Sequence, residues 1–153
     1  MTWRKLYEEE DERVVDQILA LYEEDPAPTP MTRDKALRTL RRLRAEPLRG
    51  VAVGTTSDGG LSGYALLCSF WSNELGGEVC SVDELFVVPA ARGQGRASEL
   101  VQGLCTRRWP WFRNAVAIEL EVTLKNDRAR RLYERLGFRP YQNALMRALP
   151  TPG

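Results

Sequence analysis

The sequence predicts an α/β fold in a single domain spanning residues 1–153, with a mixed, mostly antiparallel central sheet and helices on both faces. Three observations carry this reading. Apolar residues at helical spacing fill the first third of the chain. Three strand-like segments joined by glycine-bearing turns fill the middle, and helix and strand then alternate to the end. Consecutive strands on tight turns give an antiparallel meander, whereas a strand–helix–strand crossover returns the chain in parallel. A length of 153 residues is enough to bury a core without a second domain.

Residues 1–7 hold Trp3, Leu6 and Tyr7 and read as a short edge strand. The acidic run Glu8 to Glu12 suits a first helical turn, where the macrodipole favours anions. Val14, Val15, Ile18, Leu19, Leu21 and Tyr22 then recur at helical spacing, so 9–24 reads as an amphipathic helix. Pro26, Pro28 and Pro30 cannot continue it, because proline lacks the N–H and clashes with the preceding turn. Thr32 or a neighbour caps a second helix through Leu37, Leu40 and Leu43, which ends before Pro47. Its Arg33, Lys35, Arg38, Arg41, Arg42 and Arg44 read as a solvated face, with an anion-binding face as the alternative.

Val51 to Thr55 is a short β run, and Ser57-Asp58-Gly59-Gly60 is a hairpin turn in which glycine supplies φ > 0. Residues 61–71 form the partner strand, 72–78 with Gly76-Gly77 a second turn, and 79–88 a strongly apolar third strand. Pro89 ends the meander. A helix over 97–108, a strand over 115–124, a helix over 126–136 and a final strand region over 138–149 complete the chain. There is no internal repeat, low-complexity tract or interdomain linker.

Composition excludes several classes of function. The 22 Lys and Arg balance 21 Asp and Glu to a net charge of +1, which argues against a nucleic-acid partner. Histidine is absent, so no Ser-His or Cys-His nucleophile, imidazole base or His-ligated metal is expected, and no metal site is assigned. Cys68, Cys80 and Cys105 are isolated and odd in number; they fit neither a CxxC pair nor a disulfide framework and read as small core residues. With no basic-then-apolar leader and no apolar run near 18 residues, the expectation is no membrane and a cytoplasmic protein.

The most informative segment is Val87 to Ser98, a buried strand, a turn with two glycines and a helix that begins at once. Free N–H groups of 93–98 would face one way at that helix N-terminus, a site suited to phosphate or pyrophosphate. Gly93 and Gly95 would let the main chain approach an anion that a Cβ would push away. A tight strand–helix connection is the structural alternative. The segment is neither a P-loop nor a dinucleotide fingerprint, because both glycine spacings fail.

Arg92-Gly93-Gln94-Gly95-Arg96-Ala97 fits the R/Q-x-x-G-x-G/A pattern and resembles the GNAT superfamily of N-acetyltransferases. Val82 to Val87 resembles that family's fourth strand, and Asn126 to Phe138 its N-x-x-A-x-x-x-Y-x-x-x-G-F segment, with Ala129 at the alanine. Element order is nearest to the diamine and histone acetyltransferase branches. The resemblance implies a fourth strand splayed from the next parallel strand and acetyl-CoA as cosubstrate. Backbone groups of Leu85, Phe86 and Val87 would pair with the pantetheine arm and acetyl carbonyl. Amides of Arg92, Gly93, Gln94, Gly95, Arg96, Ala97 and Ser98 would hold the pyrophosphate, and Asn126, with Ala129, would line the opposite wall. Tyr133 would be the general acid for the departing thiolate, and the N–H of Val87 would meet the oxyanion.

The base is left between two residues. Asp83 and Glu84 are strand neighbours and are expected to face opposite sides; either is a direct or relayed base, or both are structural. Glu74 is a hairpin polar residue or a negative charge at the mouth. Trp109 and Trp111 mark a helix stop with packing, or a dimer surface. Arg128, Arg130, Arg131 and Arg135 read as a solvated face, from which Arg128 or Arg130 could reach the CoA 3′-phosphate. The function implied is transfer of an acetyl group to a primary amine, a polyamine, aminoglycoside or lysine-like acceptor. A catalytically silent acyl-CoA sensor is the alternative, and the resemblance also suggests a homodimer.

Overall fold

The computed structural model describes residues 3–123, 125–141 and 146–150. Strand β1 (Trp3–Lys5) and a short 3-10 turn lead into helix α1 (Asp11–Glu24) and helix α2 (Arg33–Ala45). The meander β2 (Gly50–Ser57), β3 (Gly60–Ser72) and β4 (Gly77–Val87) follows, then helix α3 (Arg96–Cys105), strand β5 (Ala117–Leu120) and helix α4 (Asp127–Arg135). The sheet order is β1-β2-β3-β4-β5; the first three pairings are antiparallel and β4–β5 is parallel, with α3 as the crossover. The mixed sheet with helices on both faces is thus present.

Strand alternation divides the core into two layers. Val53, Ala65, Leu67, Cys80 and Val82 pack with Leu100 and Leu104 of α3, whereas Tyr64, Leu66 and Phe86 pack with Val14, Val15 and Ile18 of α1 and Leu40 of α2. Each fully buried aliphatic side chain stabilises by about 1.5–3 kcal/mol. Thr32 caps α2 by accepting from the Lys35 N–H at 3.2 Å. The α2 cations behave as an ion-paired surface: Arg44 grips Asp11 of α1 at 2.7 and 3.2 Å, Arg42 pairs with Glu46, and Arg33 pairs with Glu12.

Several expectations are corrected. Trp109 is fully buried and Trp111 nearly so, their rings stack at 5.4 Å, and the Trp109 indole donates to the Leu100 carbonyl at 2.9 Å. They are core, not a dimer surface. Gly103 makes the room, since a Cβ there would lie 2.2 Å from Trp109 Nε1. Of the cysteines only Cys80 is core, and burial pushes its thiol up to about 12; Cys68 is half-buried and Cys105 exposed. Helix α3 stops at Cys105, because Arg107 turns to φ 58° and the Arg108 N–H returns to the Gly103 carbonyl. The final strand region is not found among the described residues: 138–141 and 146–150 carry no strand, and 142–145 lie outside them. No described helix is long and apolar enough to cross a membrane.

Candidate active site

The site begins where the sheet splits. β4 and β5 pair from Val79↔Ala117 to Val82↔Leu120, and there β5 ends. Among the described residues β4 runs on to Val87 paired with β3 alone, so its backbone edge beyond the end of β5 is left open as one side of a cleft. The ladder with β3 slips at the same point: Leu66 faces Glu84 and Leu67 faces Val82, leaving Asp83 as an extra, bulged residue.

That bulge overturns the expectation that Asp83 and Glu84 face opposite sides. Val82 and Leu85, three residues apart, both pack on the α3 side, so the extra residue has been absorbed between them. Glu84 turns to the α1–α2 side, where its carboxylate accepts the Tyr22 hydroxyl at 2.5 Å and the Tyr64 hydroxyl at 2.8 Å. The charge of Asp83 also bears on Tyr22, Tyr64, Cys68 and Glu84 and raises their pKa values. Burial raises the Glu84 pKa, against the two tyrosine donors that pull it down. Asp83 reaches solvent at the cleft yet is overhung by protein; lost hydration and then the nearby Glu121 raise its pKa as well. Both tyrosine hydroxyls are pushed up, first by burial and further by the carboxylate they serve.

After β4, a 3-10 turn over Pro89–Ala91 delivers the chain to α3. Gly93 at φ 80° and Gly95 at φ 75° make the turn, and Gly95 stands at the N-cap. A Cβ at either would meet nothing within 4 Å, so both point into open space. The Arg92 N–H is taken by the Pro89 carbonyl at 3.3 Å, which corrects its place among the free amides. Among the described residues the N–H groups of Gly93 to Ser98 have no protein acceptor, and the ladder resumes with Glu99 on the Gly95 carbonyl. These six donors sit at the positive end of α3.

The two arginine side chains of this turn are engaged elsewhere. Arg92 Nε donates to the Val87 carbonyl at 2.8 Å, Nη2 pairs with Glu24 of α1 at 2.8 and 2.9 Å, and the guanidinium lies 5.4 Å from the Phe86 ring centre. Arg96 turns inward and donates to Thr55 Oγ1 at 2.8 Å, while its buried Nε has no partner among the described residues. Its carbonyl accepts the Trp3 indole at 2.9 Å, which ties the turn to β1.

Asn126, Ala129 and Tyr133 form a separate group. The Asn126 side chain caps α4 by accepting from the Ala129 N–H at 3.1 Å. Tyr133 is half-buried and meets Phe138 edge-on at 6.0 Å, and burial raises its pKa, so it holds its proton. No hydrogen bond or ion pair among the described residues joins these three to β4. Glu74 accepts the Tyr141 hydroxyl at 2.6 Å in the β3–β4 turn, and Arg128 is exposed.

A family model described as Acetyltransferase (GNAT) family matches residues 6–138. The chain belongs to the GNAT acetyltransferase family. No curated protein matches its sequence. Among solved structures it is similar to an integron cassette protein from the mobile metagenome of Cole Harbour Salt Marsh, at 26% identity and a TM-score of 0.75, covering 99% of this chain and 92% of that one. A ribosomal-protein-alanine N-acetyltransferase from Brucella melitensis is 20% identical with a TM-score of 0.73, covering 95% and 97%. A transcriptional regulator from Bacillus halodurans is 20% identical with a TM-score of 0.74, covering 97% and 99%. At that identity these last two share the fold, and the fold alone does not choose an activity.

Members of the GNAT family generally use acetyl-CoA, and most of this cleft suits it: an open strand edge, six amides without acceptors and two glycines facing open space. The exception is Arg92, which sits on one of the edge carbonyls. Sequence reading missed Tyr22, Tyr64 and Glu24 in this GNAT chain. The signal for the tyrosines was present, because a tyrosine in an apolar stripe must find a partner for its hydroxyl when buried. Glu24 carried no local signal, standing 68 positions from Arg92.

Proposed function

We propose that the protein transfers the acetyl group of acetyl-CoA to a primary amine by direct attack in a ternary complex. The observation that supports this best is the convergence on one cleft of an unpaired β4 edge, two carboxylates of raised pKa and the amides of Gly93 to Ser98. Leu85 and the Val87 N–H, which face away from β3, offer backbone groups to the pantetheine arm, whereas Phe86 stands in the hydrogen-bonded register with Tyr64; the turn offers its N–H groups to the pyrophosphate. Asn126 keeps its amide NH₂ for the same arm while its oxygen caps α4, and Ala129 leaves room beside it.

Acetyl-CoA supplies a thioester already activated toward amines, so the chain needs no covalent nucleophile. Its residues position the reactants, which can supply several kcal/mol of barrier reduction. An amine arrives protonated, and a carboxylate whose pKa is raised toward neutrality is a better acceptor for its proton. Asp83 or Glu84 takes that proton, and Tyr133 returns one to the leaving sulfur. The acidic residues Asp83, Glu84 and Glu121 favour a cationic acceptor, a polyamine, an aminoglycoside or a lysine-like amine. Free thiols at all three cysteines suit a reducing cytoplasm.

The test is CoA release with acetyl-CoA and a panel of diamines, aminoglycosides and lysine peptides, with the acetylated product identified by mass spectrometry. Product with one of these classes is expected. Acetyl-CoA binding with no product from any class would instead indicate a silent acyl-CoA module.

A further inference from the structure

We propose that the two β4 carboxylates divide the work, with Tyr22 and Tyr64 as positioning residues that hold Glu84 as a fixed anion toward the incoming ammonium while Asp83 removes its proton. This rests on the acetyl-transfer reading. Each oxygen of Glu84 receives one tyrosine hydroxyl, Oε2 from Tyr22 on α1 and Oε1 from Tyr64 on β3. Both donors point at the charged form and favour it. To act as a base, Glu84 would have to place a proton where a tyrosine already donates, and one of the two hydrogen bonds would be lost. Tyr64 is fully buried in the core layer against α1 and α2, which leaves its hydroxyl little freedom to turn away.

Asp83 has the opposite surroundings. Among the described residues its carboxylate has no hydrogen-bond or ion-pair partner, and the bulge sets it at the solvent-reaching rim of the cleft. The titratable groups that bear on the pair are Tyr22 from α1 and Tyr64 from β3 by hydrogen bonds to Glu84, and Cys68 from β3 and Glu121 beyond β5 by charge. None of them is a cation that would hold Asp83 ionised. It can accept the ammonium proton on a free oxygen, leave the amine lone pair for the thioester carbonyl, and pass the proton to water at the rim.

Tyr22 lies two residues before Glu24, the partner of Arg92. The last turn of α1 therefore touches both the carboxylate and the anion-binding turn, and the acceptor wall and the strand edge are set by one element.

The experiment is a carbon-13 NMR titration of side-chain carboxyls in the full chain, with E84Q and D83N to assign the two signals, repeated in Y22F and Y64F. Each tyrosine substitution is expected to raise the Glu84 midpoint by about one pH unit, a tenfold change in proton affinity, without raising that of Asp83. In turnover with the best amine of the panel, Y22F is expected to raise KM for the amine with kcat nearly kept. D83N is expected to lower kcat and abolish the acidic limb of the pH–rate profile. Y22F is the half-buried, milder variant and keeps the test open should Y64F fail to fold. A Glu84 midpoint unmoved in folded Y22F overturns the clamp and leaves acetyl transfer standing. An acidic limb retained in D83N overturns the base assignment. Absence of turnover with every amine overturns the acetyl-transfer reading, and the role of Asp83 with it.

Discussion

The two walls of the cleft are built differently. β4 is paired with β3 along its length and packed on both faces, and side chains from α1 and β3 converge on its carboxylate. The opposite wall is the four-residue β5 and then α4, in which no residue is buried. Beyond the β4–β5 ladder the contacts of α4 among the described residues are local: Asn126 caps its own helix and Tyr133 meets Phe138 five positions on. Groups that must be aimed within a fraction of an ångström belong on the first wall, where rotamers are locked by packing.

The largest test of this asymmetry is kinetic. With an accepted amine, Asp83→Asn is expected to lower kcat by roughly 10²–10⁴-fold with acetyl-CoA affinity kept, and Tyr133→Phe by less, both from steady-state rates. A greater loss in Tyr133→Phe would reverse the ranking of the walls. Truncation should show the same order in stability. Leu67→Ala removes a fully buried side chain and is expected to cost about 2–5 kcal/mol in urea unfolding, whereas Leu132→Ala on α4 stays near 1 kcal/mol or below.

A third test uses pH. The Asp83 pKa is raised in the folded state, so folding favours its protonated form. Its contribution to stability is full below the unfolded pKa near 4 and is lost as pH rises through the folded value. Asp83→Asn should therefore raise Tm relative to the parent at pH 7 and change it little at pH 3.5. Equal shifts at both pH values would contradict the raised pKa. The smallest effect concerns the Arg92–Glu24 pair, an exposed contact of the kind that contributes about 0–1 kcal/mol. Glu24→Gln frees Arg92 to leave the Val87 carbonyl, and acetyl-CoA affinity by calorimetry is expected to rise by up to about fivefold.

What the sequence made legible was local. Gly93 and Gly95 could be placed because a turn into a helix N-terminus is written in adjacent residues, and both do adopt positive φ. The meander and α1 were equally plain from spacing and punctuation. The facing of Asp83 and Glu84 was not legible, because the bulge depends on register against Leu66 and Leu67, neither of which carries a bend signal. Tyr22 and Glu84 are 62 positions apart, and only folding joins them. The strand expected over 115–124 shortens to Ala117–Leu120 because β5 parts from β4 there, a property of the sheet and not of those residues. For Trp109 and Trp111 beside Pro110 the sequence left packing and a dimer surface open, and the room that Gly103 makes to bury them decides for packing.

The most direct measurement of the central claim is a thermal-shift titration with acetyl-CoA, with CoA and ATP as controls. A ligand at 100 times its Kd adds about 2.7 kcal/mol, which in a domain of this size moves Tm by roughly 5–10 °C. A shift with acetyl-CoA and CoA and none with ATP is the predicted result, and its loss on Gly95→Val would locate it at the α3 turn. No shift with acetyl-CoA, in folded protein free of copurified CoA, would contradict the account and leave Gly93 to Ser98 as a strand–helix turn.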